Sequence, residues 1–453
     1  MTKSGLRCGD ILLPGGWARD MTLEFGSNGR ITAVRSATPD DVYPSAKGPV
    51  IPGLPNLHSH AFQRAMAGMT ESAGAKNDDF WSWRQAVYRF VSRLTPDDTE
   101  VIAAQLYVEM LKAGYTAVGE FHYLHHAPDG VPYDDPAEMS HRIAAAAYRS
   151  RIDLTLLPVL YAQGGFAGVP TEDGQHRYVC DLDTYSRIVE TVYAQAYDYS
   201  AGVAPHSLRA VGPDALKIAI ELAGERPIHI HIAEQTREVE ECLAWSGARP
   251  VEWLLQNADV DGRWCFVHAT HMTVAETRTL AESGAVAGLC PTTEADLGDG
   301  IFPAGAFLAA GGRIGVGSDS HVVVDGAEEL RLLEFGQRLV QHKRNILRLP
   351  GRASTGASLF EMALVGGTGG VGTAATGISI GAAANLIVLD GDAPLLAEKS
   401  GDDVLDTFIF SGGRALVRDV FVGGRAVVSG GRHYAEAEIS RDFSRVMKRL
   451  LSN

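Results

Sequence analysis

Eight short apolar runs alternate with longer amphipathic patterns through the middle of this 453-residue chain. The runs read PVIPGLPNLHSH, TAVGEF, DLTLLPVLY, AGVAPHS, PIHIHIAE, CFVHAT, AVAGLCPTTE and RIGVGSDS. Helical stretches such as DTEVIAAQLYVEMLKAG intervene between them or follow. This alternation predicts an α/β fold with parallel strands, and eight such units predict a TIM-like (β/α)8 barrel.

Both ends of the chain read instead as short strands separated by turns. The N-terminal strands are predicted in DILLPGG and MTLEFGSNGRITAVRS, and similar patterns run from ANLIVLDGD to LVRDVFVGGRAVVSGG before a helix from about Ser440. We therefore predict a barrel over residues 51–370, flanked by 1–50 and 371–453, which together form a small β-sandwich domain. The glycine-rich VGGTGGVGTAATG near residue 370 is predicted to be a linker.

Charge and cysteine content exclude several classes of protein. The formal net charge is −15, so a nucleic-acid partner is not expected, and any acidic ligand must be met by locally placed arginines. The five cysteines are scattered and form no C-x-x-C pair, which argues against a disulfide framework or a thiolate zinc site. No signal-peptide core and no long apolar run appear, so we predict a cytoplasmic protein with a small-molecule substrate and no membrane partner.

Two histidines end the first predicted barrel strand. His58 and His60 are two residues apart in LPNLHSHAFQRAMAG, so their side chains share one face of a strand. In a barrel of this type, the C-terminal ends of the strands carry the active site. The pair taken alone is equally compatible with a metal site and with two hydrogen-bonded core histidines.

The fifth and sixth predicted strands end in further histidines. PIHIHIAE puts His229 and His231 on one face, and His231 is the better ligand because it lies nearer the C-terminal end. His229 lies one layer deeper, where a packed and hydrogen-bonded histidine is expected. Glu234 follows three residues after His231. In FVHATH, His268 directly follows the apolar run, which favours it over His271.

A carboxylate ends the eighth predicted strand. Asp319 in GVGSDS can supply an oxygen ligand and accept a proton, although an aspartate after glycines is often a cap or turn residue. Each of the preceding candidates has a similar structural alternative. Four separate strands nevertheless deliver a histidine or a carboxylate to the same end of one predicted barrel, and this convergence indicates metal chemistry.

The combined pattern of H-x-H, H-x-x-E, a strand-six histidine and S-D resembles the amidohydrolase superfamily, specifically its mononuclear deaminase branch. Binuclear members use a lysine from strand four to bridge two metals, and AGVAPHSL has none, so one metal per subunit is expected. The resemblance implies Zn²⁺, with Fe²⁺ as the alternative. It assigns the metal ligands to His58, His60, His231 and Asp319, and the catalytic roles to Glu234 as proton shuttle, His268 beside the nucleophile and Asp319 as proton acceptor.

Within that branch, the segments PNLHSHAFQRAMAG, WSWR, GEFHYLHH, APHSLRAV and LCPTTEADLGDGIFP resemble the subfamily of N-formimino-L-glutamate iminohydrolases. The resemblance implies hydrolysis of N-formimino-L-glutamate to N-formyl-L-glutamate and ammonia in histidine degradation. It also implies a homodimer as the family's habit. The implied substrate-binding residues are Gln63, Arg84, Tyr123, His206 and Arg209.

The arginines fit that expectation on chemical grounds, since the planar guanidinium fork can bind a carboxylate through two hydrogen bonds. Arg209 lies just past the fourth predicted strand, and Arg84 lies in the tryptophan-rich FWSWR. Most arginines are solvated surface charges, and Tyr123 and His206 are equally compatible with core residues that have a satisfied polar tip. The segment from Gly68 to Thr95 is the candidate lid.

Two other functions remain open from the residues alone. The first is a deaminase of the same branch that acts on a purine, a pyrimidine or an adenosine-like ring. The second is a non-catalytic barrel that keeps the fold and has lost its ligands, and the complete candidate ligand set argues against it.

Overall fold

The computed structural model describes residues 4–72, 79–373 and 377–452. It is an α/β structure in which the strands of the middle region are parallel. The strands are β1 (Ser4–Leu13), β2 (Gly16–Phe25), β3 (Ile31–Ser36), β4 (Val50–Pro52), β5 (Leu54–Ser59), β6 (Tyr115–His122), β7 (Asp153–Leu160), β8 (Ser200–Ala201), β9 (Ala204–Pro205), β10 (Ile228–Ile232), β11 (Trp264–His268), β12 (Val286–Leu289), β13 (Arg313–Val316), β14 (Leu386–Leu389), β15 (Val417–Val422), β16 (Arg425–Ser429) and β17 (Arg432–His433).

Helices follow the strands of the middle region and also end the chain. They are α1 (Phe80–Val91), α2 (Pro96–Lys112), α3 (Glu138–Ser150), α4 (Leu182–Gln195), α5 (Pro213–Ala223), α6 (Thr236–Ser246), α7 (Pro250–Asn257), α8 (Val274–Ser283), α9 (Pro291–Asp296), α10 (Ala304–Ala309), α11 (Gly326–Gln341), α12 (Thr355–Gly370), α13 (Asp402–Thr407) and α14 (Glu436–Leu451). Within the described part of the chain, no helix is long and apolar enough to span a lipid bilayer.

All eight apolar runs of the middle region form strands, and these strands build two parallel sheets. One sheet has the order β5-β6-β7-β8, with β9 also paired to β7, and the other has the order β10-β11-β12-β13. Single parallel bridges join the sheets at both edges, from Ser59 to Asp319 and from Val203 to Ile228. The predicted α/β class with parallel strands is confirmed, and closure into a complete barrel stays a prediction at this point.

The strands from both chain ends pair with one another in one eight-stranded sheet, in the order β17-β16-β15-β14-β4-β1-β2-β3. The short strand β4 joins the two ends, because it pairs in parallel with β1 and antiparallel with β14. Val50 of β4 packs with Ile11, Leu23 and Leu386 in one hydrophobic core, while Ile51 packs in the larger core of the middle region. A two-layer sandwich and the boundaries 1–50, 51–370 and 371–453 stay predictions.

Several helices begin at signals that the sequence displays. The Thr95 side chain accepts a hydrogen bond from the Asp98 amide while Asp98 bonds back, with Pro96 at the first helical position of α2. Thr273 and Glu276 form the same reciprocal cap at α8. Asp79 caps α1, which occupies part of the candidate lid segment. Residues 73–78 of that segment lie outside the described residues.

The glycine-rich linker prediction near residue 370 is wrong over its first half, because α12 continues through these glycines to Gly370. The helix lies so close to the parallel strands that a side chain would not fit. A Cβ on Gly366 would lie 1.8 Å from the carbonyl oxygen of Ile314, on β13. The glycines therefore permit a close helix–strand approach, and residues 374–376 of the predicted linker lie outside the described residues.

Gly366→Ala should destabilise the protein even though alanine is the better helix former. Helix propensity alone favours alanine by about 1 kcal/mol, but the added methyl meets the Ile314 backbone and overpacking costs about 1–3 kcal/mol or more. Gly369→Ala on the same helix is the control, because its nearest neighbour would lie at 3.7 Å. Denaturant unfolding should lower the midpoint for the first variant only; equal midpoints would contradict the close-packing explanation.

Candidate metal centre and active site

The side chains predicted as metal ligands lie together where β5, β10 and β13 end. The Nε2 atom of His58 lies 3.2 Å from Nε2 of His60 and 3.0 Å from Nε2 of His231. The Oδ1 atom of Asp319 lies 3.5 Å from His58 Nε2 and 3.2 Å from His60 Nε2. All four residues are buried, and their ligand atoms are close enough to hold one metal ion.

The hydrogen bonds of these rings show that the cluster fits a cation. His60 Nδ1 lies 2.9 Å from the Phe121 carbonyl oxygen, and His231 Nδ1 lies 3.1 Å from that of His206. Because a carbonyl oxygen can only accept, both rings donate through Nδ1 and turn an unprotonated Nε2 toward the cluster. Their Nε2 lone pairs and the Asp319 carboxylate therefore face one another, which is the arrangement that a divalent metal stabilises.

Burial changes the pKa values of the cluster in the direction that metal binding requires. It lowers the pKa of His58 to about 3 and that of His231 well below the usual value, so the imidazoles are neutral. Burial alone would raise the pKa of Asp319, but its hydrogen bond with His58 and the nearby imidazoles hold it below the usual range. Neutral imidazoles and an ionised carboxylate are the ligand forms that bind zinc.

The predicted proton-transfer residues lie beside the metal cluster. His268 Nε2 lies 3.7 Å from Glu234 Oε1 and 3.8 Å from Asp319 Oδ2. Burial disfavours the charged ring, yet the carboxylates of Glu234, Glu294 and Asp319 raise the pKa of His268 well above its usual value. Burial raises the pKa of Glu234 to about 7. A carboxyl group with a pKa near neutrality is suited to both accepting and donating a proton.

Two of these residues hold the backbone in the left-handed region, where non-glycine residues are uncommon. The φ angle is 67° at His268 and 41° at Asp319. His268 is the last residue of β11 and Asp319 lies three residues after β13, so both conformations occur where a strand gives way to a loop. Such conformations persist where the surroundings over-determine them, as they do at functional sites.

The structure adds supporting residues that the sequence reasoning missed. Glu238 accepts hydrogen bonds from the backbone N–H groups of Ala233 and Glu234, at 3.0 and 3.3 Å, and so fixes the turn after β10. Glu294 Oε1 lies 3.3 Å from His268 Nδ1 and orients that ring. An acidic residue in the first turn of α6 was a visible signal for Glu238, whereas the contact of Glu294 with His268 joins distant parts of the chain.

A second buried network lies behind His60. Glu120 accepts hydrogen bonds from the Ser59 hydroxyl at 2.6 Å and from the Ala61 amide at 2.7 Å. The His60 amide donates to His321 Nε2 at 3.2 Å, and His321 Nδ1 lies 2.9 Å from the Ser318 hydroxyl. These bonds hold the end of β5 against the chain after β13. The carboxylate of Glu120 inside the apolar run TAVGEF was the signal available in the sequence.

The cavity continues from the metal cluster to a group of arginines and aromatic rings. Arg84 on α1 and Arg209 after β9 both line it. The Nε atoms of both arginines, and one terminal nitrogen of Arg84, are buried without a hydrogen-bond partner. Among the described residues, neither arginine forms an ion pair with a carboxylate. The Cζ atoms of both lie over the Trp81 ring, 4.6 and 5.5 Å from its centroid.

The remaining predicted substrate contacts also line this cavity. The Gln63 amide donates to the Tyr123 hydroxyl at 2.9 Å, and the Gln63 carbonyl oxygen is buried without a partner. His206 lies beside Tyr123, with ring centroids 5.7 Å apart. His229 and His271 are not among the cavity-lining residues, and His229 Nε2 lies 2.7 Å from the Gly370 carbonyl oxygen. The structure thus brings together every predicted site residue, while their roles stay predictions.

Comparison with known proteins decides the family. The model of the "Amidohydrolase family" matches residues 50–427 of this chain. The chain belongs to the amidohydrolase family. The amidohydrolase reported as a crystal structure from Brucella melitensis is 47% identical, covers 99% of this chain and 100% of that one, and superposes with a TM-score of 0.94. The superfamily prediction is therefore confirmed.

Curated amidohydrolase relatives differ in what they act on. The formimidoylglutamate deiminase of Pseudomonas aeruginosa is 52% identical over 445 residues, which cover 97% of this chain and 98% of that protein. The 5-methylthioadenosine/S-adenosylhomocysteine deaminase of Natronomonas pharaonis is 26% identical, covering 90% of this chain and 88% of that one. The subfamily resemblance is thus supported by identity across nearly the whole chain.

Proposed function

We propose that this amidohydrolase hydrolyses N-formimino-L-glutamate to N-formyl-L-glutamate and ammonia, as a step of histidine degradation. One observation carries the proposal: a single cavity joins the histidine–aspartate cluster to two arginines, Arg209 buried and Arg84 half-buried, that have no carboxylate partner among the described residues. The substrate has a hydrolysable formimino carbon at one end, which suits the metal cluster, and two carboxylates at the other, which suit the arginines. The formimidoylglutamate deiminase that is 52% identical supports the same activity.

Electrostatics favours an anionic substrate in this cavity. A buried guanidinium group without a partner is costly, and a carboxylate that binds it in bidentate fashion removes that cost. Arg84 and Arg209 are the proposed carboxylate anchors, with Tyr123 and His206 beside them. Since the protein carries a net charge of −15, these local cations have to overcome its general repulsion of a dianion.

The proposed cofactor is one Zn²⁺ ion per subunit, held by His58, His60, His231 and Asp319. Three imidazoles and one carboxylate suit zinc, and Fe²⁺ is the alternative. When bound, the ion lowers the pKa of a coordinated water to roughly 7 and so supplies a nucleophile at neutral pH.

The residues around the ion carry the proton transfers. Asp319 accepts the proton of the attacking water through its carboxylate, and the charged ring of His268 stabilises the developing tetrahedral centre. Glu234 delivers a proton to the nitrogen that leaves as ammonia, while Gln63 contacts the formimino group through its unpartnered carbonyl oxygen. Water thus adds to the formimino carbon, the proton held by Asp319 passes to the amino nitrogen, the hydroxyl of the adduct returns a proton to Glu234, and the carbon–nitrogen bond breaks to give the formyl product and ammonia.

We also propose the architecture and the oligomeric state in which this site lies. The parallel bridges at both sheet edges support a closed (β/α)8 barrel with the site at the C-terminal ends of its strands. The terminal segments are proposed to form the accessory β-sandwich domain. We propose a cytoplasmic homodimer with a small-molecule dicarboxylate substrate and with no nucleic-acid or membrane partner.

A substrate screen with zinc-loaded protein tests this function. Ammonia release should be fastest with N-formimino-L-glutamate and weaker with formiminoaspartate, which is shorter by one methylene and cannot reach both anchors equally. Guanine, cytosine and S-adenosylhomocysteine should release little ammonia, because they lack the two carboxylates. Preferential deamination of one of these rings would overturn the proposal and favour the alternative deaminase, and no activity on any compound would favour a non-catalytic barrel.

Arg209→Ala should weaken substrate binding more than it slows turnover. A hydrogen bond to a charged group contributes about 1.5–3 kcal/mol, so KM should rise roughly 10- to 100-fold with a smaller change in kcat. Arg278→Ala is the matched control, because that side chain is 75% exposed and pairs with Glu282 on α8, outside the cavity. Steady-state kinetics with formiminoglutamate measures both; an unchanged KM for Arg209→Ala would remove this residue as an anchor.

A further inference from the structure

A second group of possible metal ligands lies directly beside the first and shares Asp319 with it. It consists of His268 at the end of β11, Cys290 just after β12 and Asp319 just after β13. Their ligand atoms lie within 4.8 Å of one another, and all three residues are buried. One sulfur, one imidazole nitrogen and one carboxylate oxygen form a set that zinc and cadmium bind in proteins.

We propose that His268, Cys290 and Asp319 form a second, lower-affinity site for a thiophilic divalent cation such as Zn²⁺, and that its occupation inhibits the enzyme. The site differs from the proposed catalytic one in having a sulfur ligand. The inhibition rests on the proposed function, whereas the binding of a second ion does not.

The orientation of the side chains supports a second ion. Because Nδ1 of His268 lies against Glu294, its Nε2 is turned toward Asp319 Oδ2, 3.8 Å away. The other oxygen of Asp319 is the one near His58 and His60. Asp319 can therefore bridge two ions, with one carboxylate oxygen toward each. Glu234 Oε1, 3.7 Å from His268 Nε2, is placed to act as a further ligand.

The charge around the site also favours a second cation. Four buried carboxyl groups lie around His268, from Glu234, Glu294, Asp299 and Asp319. Among the described residues, none of the four forms an ion pair with a lysine or an arginine. One oxygen of Asp299 is buried without a hydrogen-bond partner. A cation bound beside His268 would reduce the repulsion among these four crowded carboxyl groups.

Occupation of the second site would engage the residues on which the proposed proton transfers depend. The ion would displace the proton from Nε2 of His268 and bind the outer oxygen of Asp319, so neither group could assist the attacking water. Removal of a positioned acid or base typically costs about 10²–10⁴-fold in rate. Activity should therefore rise with the first equivalent of zinc and fall by about 10²-fold or more when the second site is full.

Binding is tested first, without substrate, by titrating metal-free protein with Co²⁺. Coordination by the Cys290 thiolate gives a sulfur-to-cobalt charge-transfer band in the near ultraviolet. We expect the band to be absent with the first equivalent and to appear with the second. Absence of the band at any cobalt concentration, or its appearance with the first equivalent, would overturn the two-site proposal even if no variant could be prepared.

Cys290→Ser and Cys265→Ser form a matched pair for the same titration. Both cysteines are buried with no exposed surface, but Cys265 is not among the clustered metal ligands. Equilibrium dialysis should give two Zn²⁺ ions per chain for the parent and for Cys265→Ser, and one for Cys290→Ser. Two ions bound to Cys290→Ser would show that the thiol is not a ligand and would overturn the proposal.

The inhibition is measured as the ratio of activity in excess zinc to activity with one equivalent, within each protein. This ratio should be about 0.01 for the parent and for Cys265→Ser, which corresponds to a loss of about 10²-fold in activity, and it should stay near one for Cys290→Ser. Equal ratios for the two variants would overturn the inhibitory role. If two ions bind and no formiminoglutamate is hydrolysed at any zinc level, the proposed function fails while the second site stands.

Discussion

Glu234→Gln should keep its metal and lose about 10²- to 10⁴-fold in kcat, the usual cost of removing a positioned acid or base. The amide preserves the size of the side chain but can neither accept a proton nor deliver one to the leaving nitrogen. Glu234 is not among the clustered metal ligands, so the bound zinc should not change. Ammonia release with formiminoglutamate measures the turnover, and elemental analysis after dialysis measures the metal.

Glu241→Gln provides the control for that experiment. Glu241 lies on the helix that follows Glu234, but it pairs with Arg237 and belongs neither to the cavity lining nor to the clustered metal ligands. Its kcat should stay within a factor of about two, because exposed ion pairs contribute little. Near-normal ammonia release by Glu234→Gln would remove the assigned proton shuttle. Loss of metal from that variant would instead indicate that Glu234 is a ligand.

The metal cluster could be predicted from sequence because local geometry determines most of it. The two-residue period of a strand places His58 and His60 on one face, and in the structure His58 lies on β5 while His60 directly follows its last residue. The parallel arrangement then brings together the ends of distant strands, where His231 and Asp319 lie, and the resemblance to the amidohydrolase superfamily assigns both as ligands. In the structure, their ligand atoms lie 3.0 and 3.5 Å from Nε2 of His58.

The supporting contacts could not be predicted in the same way, because they depend on which surfaces pack together. Glu294 reaches His268 across 26 residues, and the His60 amide reaches His321 across 261. The glycines of α12 illustrate the opposite difficulty. Composition alone reads them as a linker, but their lack of a side chain lets a helix approach the Ile314 backbone. Only the partner surface distinguishes these two uses of glycine.

The substrate contacts lie between these two cases. Arg209 follows a strand end and could be placed by the barrel rule, whereas Arg84 lies on a helix whose position depends on packing. The structure brings both over the Trp81 ring with unpartnered nitrogen atoms. That lack of partners is a property of the folded protein, and it is the reason that an anionic ligand is expected there.

Asp319→Asn should lose both the metal and the activity, unlike Glu234→Gln. The amide oxygen is a weaker ligand than a carboxylate and cannot accept the proton of the attacking water, so kcat should fall by at least about 10²–10⁴-fold. Without the negative charge, three neutral imidazoles remain, and the affinity for zinc should fall with it. Competition against a chelator of known affinity measures the metal, and ammonia release measures kcat.

His229→Asn separates loss of the metal from general damage to the buried interior, because His229 lies on the same strand as His231 but bonds to the Gly370 carbonyl oxygen. This control should hold zinc as tightly as the parent, since an asparagine amide can keep one donor in place. If Asp319→Asn also held zinc as tightly as the parent, the aspartate would be a proton acceptor without being a ligand. The comparison with Glu234→Gln then separates metal binding from proton transfer. Turnover should fall in both Asp319→Asn and Glu234→Gln, whereas the affinity for zinc should fall only in Asp319→Asn, where a ligand has been removed.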